Sequence, residues 1–201
     1  MLRHILFAIN LLRAVPAFCA VCLSGAKDML RSETGGYTWF LESYDGDSFF
    51  LRFAWLMWRY GCYRNHVIFR CSQTSALSSY LIRLLYPPKK DMEIMGQIGE
   101  GLVVYHGHGT VVAPHKIGRN FSVYQGVTIG RNPKPGRQFD NPTIGDNVTV
   151  FTNAVVAGDI TIGDNVVIGA GAVVMKDVPS NSVVMGNPCV IRQKQTQPSG
   201  V

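Results

Sequence analysis

The second half of the chain places an aliphatic residue at every sixth position. The consecutive members of this series are Ile144, Val150, Val156, Ile162, Ile168 and Val174. Small or β-branched residues fill the fifth position of each unit, and earlier residues of the same phase run from Ile98 and Val104 through Ile117, Val123 and Ile129. Six consecutive aliphatic residues at a constant spacing of six make a chance pattern improbable. Each unit predicts a short strand and a turn, and three units predict one triangular coil of 18 residues. A single coil cannot bury its own face, so several must stack. The predicted fold is mainly β, a parallel β-helix.

The first half reads as helical. Residues 48–63 and 67–86 carry long apolar side chains with few glycines, and 37–47 is a polar, Gly-containing connection. The segment Pro87-Pro88-Lys89-Lys90 predicts the end of a helix and a domain boundary. The predicted organisation is an N-terminal α-helical segment, a β-helix domain and a C-terminal tail, at 1–90, 91–190 and 191–201.

Two interruptions of the repeat indicate where function lies. The step from Val104 to Val111 is seven, with the extra residue near His106-Gly107-His108. From Ile129 to Ile144 the step is fifteen, which predicts a loop that leaves the wall near residues 131–142. Repeat proteins place insertions on one face, which is often the binding face. A substrate site is therefore expected at these two points.

The repeat and its interruptions carry a family resemblance over residues 91 to about 194. The matching residues are Ile98-Gly99-x-Gly101, His106 in VVYHGHGTVV, the loop before Asn141-Pro142-Thr143-Ile144, and VVIGAGAVVMKDVPSNSVVMGNP at 166–188. Together they resemble the hexapeptide-repeat acyltransferases, and within them the serine acetyltransferase-like branch, close to enzymes that O-acetylate polysaccharide precursors. The resemblance implies a left-handed β-helix, acetyl-CoA as co-substrate, and a homotrimer or dimer of trimers that completes a groove between neighbouring β-helices.

The resemblance assigns the catalytic pair. The family's catalytic histidine matches His106, and its supporting aspartate matches Asp91, fifteen residues earlier and a little under one coil away. Imidazole titrates near neutral pH and can take the proton of an attacking hydroxyl. A carboxylate behind it would fix its tautomer. His106 is the predicted general base and Asp91 its support.

The acceptor is predicted from two departures. Tyr105 stands where the serine-specific enzymes carry an acidic residue, and Asp140-Asn141 replace an Arg-His pair before Pro142. Segment 58–65 also resembles the N-terminal segments of enzymes that decorate surface polysaccharides. These features favour a sugar or polysaccharide hydroxyl, with serine O-acetylation in cysteine biosynthesis as the alternative. The predicted acceptor-binding residues are Tyr105, His108, Asn141 and Arg137.

The resemblance also implies a set of acetyl-CoA contacts. Positions that match the family's contacts with the pantetheine arm are Gly130, Arg131, Thr152 and Ala170. Lys176, Arg192 and Lys194 are candidate partners of the phosphates, because cations form charge-assisted hydrogen bonds with them. No metal is expected.

Composition and charge limit the possible functional classes and cellular locations. The 201 residues are 47% hydrophobic and 16% charged with a net charge of +6, and no nucleic-acid-binding signature is present. Five irregularly spaced cysteines favour reduced thiols in a cytoplasmic protein. Residues 1–26 are apolar but contain Arg13 and Pro16. A packed or interfacial helix, a membrane-surface anchor at the inner face of the membrane and a cleaved signal all remain open there.

Two other classes remain as alternatives. Three histidines within ten residues, His106, His108 and His115, admit a zinc enzyme such as a γ-type carbonic anhydrase. A β-helix kept only for assembly is the non-catalytic alternative. Bound zinc would indicate the first, and failure to transfer acetyl groups would indicate the second.

Overall fold

The chain folds into two compact units, Met1–Ile94 and Met95–Val201. This is a computed structural model, and it describes residues 2–41, 48–133 and 140–194. The sequence predicts a boundary after residue 90, whereas the first unit extends to Ile94. The side-chain amide of Asn65 explains the difference, because it donates to the carbonyl oxygens of Lys89 at 2.9 Å and Met92 at 3.0 Å. These bonds fasten residues 89–92 to a helix of the first unit.

The first unit is helical in its described part. Its elements are α1 Leu2–Ser24, α2 Lys27–Thr34, a 3-10 helix Gly35–Tyr37, α3 Thr38–Leu41, α4 Phe49–Arg59, α5 Gly61–Ser72, α6 Ala76–Leu85 and the strand β1 Met92–Ile94. The helix predicted over 48–63 is broken at Tyr60, whose backbone is extended. The helix predicted over 67–86 is broken before α6, where the Ser75 hydroxyl accepts a hydrogen bond from the Ser78 N–H at 3.2 Å. This N-cap starts a new helix.

The segment 37–47, predicted as a connection, is partly helical, because it contains α3. Residues 42–47 of that segment lie outside the described part. The predicted helix end before Pro87-Pro88 is confirmed, since α6 ends at Leu85.

A charged cluster lies in the core of the first unit. The Glu33 carboxylate contacts His66 Nε2 at 2.8 Å and accepts two hydrogen bonds from Arg70, at 2.6 and 3.0 Å. His66 Nδ1 lies 2.9 Å from the Tyr37 hydroxyl, and all four residues are buried. Burial alone would raise the pKa of Glu33, but the charges and hydrogen bonds of His66 and Arg70 outweigh it and lower that pKa to about 2. The carboxylate is therefore ionised inside the helical unit.

The second unit is a solenoid of short strands. They are β2 Gln97–Ile98, β3 Val103–Val104, β4 Thr110–Val112, β5 Lys116–Ile117, β6 Ser122–Val123, β7 Thr128–Gly130, β8 Thr143–Ile144, β9 Thr149–Val150, β10 Val155–Ala157, β11 Thr161–Ile162, β12 Val167–Ile168, β13 Val173–Val174, β14 Ser182–Met185 and β15 Val190–Gln193. Three faces form, in the orders β4-β7-β10-β13, β2-β5-β8-β11 and β3-β6-β9-β12-β14-β15. The pairs are parallel except that of β14 with β15. The predicted β-helix is confirmed.

The strand register confirms the inward series. Val150 pairs with Ile168 and Val156 with Val174, each 18 positions later, and these side chains are fully buried. Ile129 pairs with Val156, 27 positions later. One coil of 18 plus nine extra residues accounts for that distance. The fifteen-residue step is therefore one six-residue unit with a nine-residue insertion.

The first interruption differs from its prediction in one detail. Val112 is fully buried and pairs with Ile129, whereas Val111 is only half-buried. The inward series therefore runs from Val104 to Val112, a step of eight rather than the predicted seven to Val111. The backbone between them bulges, since His106, Gly107 and Gly109 all have positive φ.

The start of the predicted tail differs from its prediction. The sequence predicts that Gly186-Asn187-Pro188 ends the solenoid and turns the tail outward. The structure instead reverses the chain there, and β15 returns antiparallel along β14, while residues 195–201 of the tail lie outside the described residues. Strand β14 is the last parallel strand of its face, so β15 covers backbone groups of β14 that would otherwise be an open edge.

Candidate functional site

The predicted base lies on a corner of the solenoid between β3 and β4. His106 adopts the left-handed conformation with φ 64°, which is uncommon for a residue other than glycine. Its neighbour Gly107 is buried, and the Gly107 N–H donates to the Tyr105 carbonyl oxygen at 2.8 Å. The His106 side chain is exposed. Other corners share this conformation through asparagines, such as Asn147 and Asn165 at φ 57°, so it is the surrounding bulge with Gly107 and Gly109 that distinguishes the His106 corner.

The bulged corner is held in place from the coil above. The His108 carbonyl oxygen accepts the Gly126 N–H at 2.7 Å. The fully buried Thr110 hydroxyl contacts the carbonyl oxygens of His108 at 3.4 Å and Tyr124 at 3.2 Å. Sequence reasoning missed Thr110, although a hydroxyl directly after a bulge is a recognisable signal. The exposed His108 side chain lies on the same corner as His106.

Three aromatic side chains form a ladder that begins at Tyr105. The Tyr105 and Tyr124 rings stack with centroids 4.6 Å apart, and Tyr124 stacks on Phe151 at 4.8 Å. Burial raises the pKa of Tyr105, so its hydroxyl stays protonated. Tyr105 is predicted from the sequence, whereas Tyr124 and Phe151 are not. Their signal was positional, because each directly follows an inward valine on the same face.

The corner of His106 continues upward as one edge of the solenoid. Gln125 occupies it in the next coil, followed by Thr152 and Ala170, and backbone hydrogen bonds link the levels: Asn153 N–H to Gln125 O at 3.0 Å and Gly171 N–H to Thr152 O at 2.9 Å. Two predicted acetyl-CoA contacts, Thr152 and Ala170, thus share an edge with the predicted base. Among the described residues, Gln125 Oε1 is buried without a hydrogen-bond donor. A buried acceptor of this kind is available to accept a hydrogen bond from a bound substrate.

The other predicted acetyl-CoA residues lie elsewhere on the solenoid. Gly130 and Arg131 are at the opposite edge of the face formed by β4, β7, β10 and β13. Lys176 lines a cleft of about 210 Å³ at that edge, together with Asn132, Ala157, Gly158, Asp159, Ile160, Met175 and Asp177. Arg192 is exposed on β15, which belongs to a different face. The predicted acetyl-CoA residues therefore lie in three places. Thr152 and Ala170 share the edge of His106, Gly130, Arg131 and Lys176 lie at the opposite edge, and Arg192 lies on β15.

The base of the inserted loop is closed by polar contacts. The Arg131 guanidinium pairs with the Asp140 carboxylate at 2.7 Å, and the Asn132 N–H donates to the Asp140 carbonyl oxygen at 3.1 Å. Asn141 Nδ2 donates to the Ala113 carbonyl oxygen at 2.5 Å. Two predicted ligand-binding residues, Arg131 and Asn141, thus hold the ends of the loop. Arg137 lies outside the described residues.

Asp91 belongs to the helical unit, where its carboxylate forms an ion pair with the Lys89 ammonium. The predicted contact of Asp91 with His106 joins the two units and stays a prediction. In the described ranges, no group of three His, Cys, Asp or Glu side chains could hold a metal ion.

Part of the repeat matches a known protein family. Residues 141–176 match the family described as bacterial transferase hexapeptide (six repeats). This segment is therefore similar to the hexapeptide repeats of bacterial transferases. The match covers six strands, β8 to β13.

Comparison with individual proteins extends the similarity beyond that segment. A serine acetyltransferase of Staphylococcus xylosus is 48% identical over 93 residues, covering 46% of this chain and 43% of the relative. One from Synechocystis is 47% identical over 105 residues, covering 52% of this chain and 40% of the relative. The chain therefore spans less than half the length of these curated relatives.

Solved structures agree in fold over most of the chain. Serine acetyltransferase from Neisseria gonorrhoeae in complex with serine superposes with a TM-score of 0.62 at 24% identity, covering 86% of this chain and 71% of the other. The soybean apoenzyme gives 0.57 at 28% identity, covering 82% and 69%. At such identities the gonococcal match supports the fold only.

Proposed function

We propose that this chain is an acetyl-CoA-dependent O-acetyltransferase with His106 as general base. The carrying observation is the corner between β3 and β4, where the repeat is interrupted by a bulge that carries the exposed His106. Thr152 and Ala170 lie above it on the same edge. The serine acetyltransferase relatives and their shared hexapeptide repeat support this assignment.

The reaction follows from this arrangement. The acceptor oxygen attacks the thioester carbonyl carbon while the His106 imidazole takes the hydroxyl proton. The carbon–sulfur bond then breaks, and the imidazolium returns the proton to the departing thiolate. The products are the acetyl ester and coenzyme A. Backbone groups of the edge at Thr152 and Ala170 would hold the pantetheine arm.

L-Serine is the first candidate acceptor. The relatives named above are described as serine acetyltransferases, and one of the superposed structures contains serine. These comparisons support the serine alternative better than the sugar hydroxyl that the sequence analysis favoured. They also give no support to the expected closeness to polysaccharide enzymes.

A sugar hydroxyl is the second candidate, and one structural observation favours it. The ladder of Tyr105, Tyr124 and Phe151 begins next to the predicted base, and aromatic rings offer an apolar surface with a polar edge. Asp140 and Asn141 are occupied at the base of the loop by Arg131 and the Ala113 carbonyl oxygen. Both side chains therefore already help to hold the loop, Asp140 through one carboxylate oxygen and Asn141 through its side-chain N–H.

Labelled acetyl-CoA offered with serine, nucleotide sugars and capsular oligosaccharides distinguishes the two acceptors. We expect a kcat/KM for serine above about 10⁴ M⁻¹s⁻¹, as for a committed enzyme. A higher value for a sugar would replace serine as the acceptor. In that case Tyr124→Ala should raise the KM for the sugar about fivefold, as expected for the loss of an aromatic contact worth about 1 kcal/mol. The matched control Tyr80→Ala, in the helical unit, should leave it unchanged. Transfer to no hydroxyl would contradict the proposed activity.

We also propose that the protein assembles as a trimer or a dimer of trimers. The edge bearing His106, Thr152 and Ala170 is exposed or half-buried, and a neighbouring β-helix would turn it into a groove that surrounds acetyl-CoA. Light scattering should therefore give a mass of three or six chains. A fully active monomer at micromolar concentration would contradict this proposal.

A further inference from the structure

The helical unit carries an extensive apolar surface on α1 and α6. These two helices pack against each other. They hold ten exposed large apolar side chains: Ile5, Leu6, Ile9, Leu12, Val15, Leu23, Leu77, Tyr80, Leu81 and Leu84. Leu12 is 77% exposed and Leu84 is 63% exposed. Single exposed apolar residues are ordinary, but a continuous patch on adjacent elements marks an interaction surface. We call this set the α1–α6 surface.

The charge of the α1–α6 surface has one sign. Neither helix contains an aspartate or a glutamate. The exposed charged residues among 5–23 and 76–85 are Arg13 and Arg83. Apolar side chains bordered by arginines fit the boundary between the acyl chains and the anionic headgroups of a lipid bilayer.

Contacts along α1 indicate how it would meet a bilayer. Residues 5–24 are long and apolar enough to cross one, with a mean hydropathy of 2.1. However, Asn10 Nδ2 donates to the Ala54 carbonyl oxygen at 3.0 Å, and the Tyr86 hydroxyl donates to Asn10 Oδ1 at 2.7 Å. Arg13 Nε donates to the Leu85 carbonyl oxygen at 3.1 Å, and its guanidinium lies over the Tyr86 ring. A spanning α1 would have to break all of these bonds.

The opposite side of α1 is built for packing against protein. Ala14, Ala17 and Ala20 are buried, and small residues there let neighbouring helices approach closely. In the fold described here, α1 thus presents one side to the helical unit and the other to its surroundings. This is the arrangement of a helix that lies in the plane of a membrane surface.

We infer that the α1–α6 surface binds the surface of an anionic lipid bilayer, with both helices lying in its interface. A second copy of the same face is a poorer partner. Symmetric pairing would bring arginines together with no carboxylate on either helix to neutralise them, whereas phospholipid phosphates pair well with guanidinium groups. This inference is independent of the proposed catalytic function.

Vesicle flotation of the purified 201-residue chain tests the inference. We expect it to float with vesicles containing phosphatidylglycerol, to float less with phosphatidylcholine alone, and to dissociate as salt is raised. Leu12→Glu and Leu84→Glu should each lower partitioning about tenfold or more, because each places a charge where an apolar side chain enters the interface. Arg83→Glu should lower the preference for phosphatidylglycerol about tenfold.

Val190→Glu is the matched control, since Val190 is 54% exposed on the solenoid, and it should bind vesicles as the parent does. All substituted positions are exposed, so an unchanged circular dichroism spectrum is expected. No flotation of the parent with either vesicle would overturn the inference. If Leu12→Glu then also lowered the mass in light scattering, the surface would be an interface between copies. Resistance to an alkaline wash would overturn the in-plane arrangement in favour of a spanning α1.

Discussion

Replacing His106 by alanine is expected to lower kcat/KM for acetyl transfer by roughly 10²–10⁴-fold, the usual contribution of general-base catalysis. The imidazole projects from a corner and fills no core position, so the solenoid and acetyl-CoA binding should persist. Steady-state kinetics with the accepted hydroxyl substrate, together with the melting temperature, measure both effects.

His115→Ala is the matched control, because it removes an exposed imidazole from the same unit. It should retain parental activity. Asp91→Asn should lower kcat/KM less than His106→Ala, and the double variant should be little worse than His106→Ala alone, because residues that act as a unit are not additive. If His106→Ala kept more than about a tenth of parental kcat/KM, the base would lie elsewhere, and His108 on the same corner would be the next residue to replace.

Replacing Glu33 by glutamine is expected to lower the free energy of unfolding by about 3–5 kcal/mol, the usual cost of removing one partner of a buried ion pair. Arg70 would remain buried without a counter-charge, and His66 would lose its carboxylate partner. Urea denaturation monitored by circular dichroism measures the difference. The matched control Asp28→Asn removes an exposed carboxylate from the same helix and should change stability by less than about 0.5 kcal/mol.

The pH dependence of stability provides a second measurement on Glu33. Its pKa is lowered from 4.5 to about 2 in the folded state, so folding favours the ionised carboxylate. The resulting stabilisation, on the order of 3 kcal/mol, is present above about pH 4.5 and is lost as the pH falls toward 2. The parent should lose this increment over that range, and Glu33→Gln should not. Parallel stability curves for the two proteins would contradict the assignment.

The sequence alone was sufficient for the solenoid and for its two irregular points. The inward series recurs every six residues, because each side chain stacks on its equivalent one 18-residue coil away, as Val150 pairs with Ile168 and Val156 with Val174. A break in such a series is visible without any structure. That is why the corner at His106 and the loop after Ile129 were predicted from spacing alone.

The number of residues inserted at each break can be read only from the strand register. A fifteen-residue step fits either one or two units, and only the pairing of Ile129 with Val156 shows a nine-residue insertion. Likewise, Val111 and Val112 are both aliphatic, and the bulge at His106 determines which one faces inward. The aromatic ladder was missed for a related reason, because Tyr105, Tyr124 and Phe151 meet only when successive coils stack.

The helical half shows the limit of sequence patterns more clearly. Apolar composition predicted helices there, but Glu33, His66 and Arg70 come from two helices and share no local motif. Burial and mutual approach, which tertiary packing alone sets, bring three ordinary polar residues together around the ionised Glu33 carboxylate. The same packing leaves Leu12 and Leu84 exposed while burying Ala14 and Ala17. The sequence by itself determined the period of the solenoid and the place of its candidate base, because these depend on contacts that repeat along the chain. The tertiary structure decided the charged core and the exposed apolar surface, because these depend on contacts between residues distant in sequence.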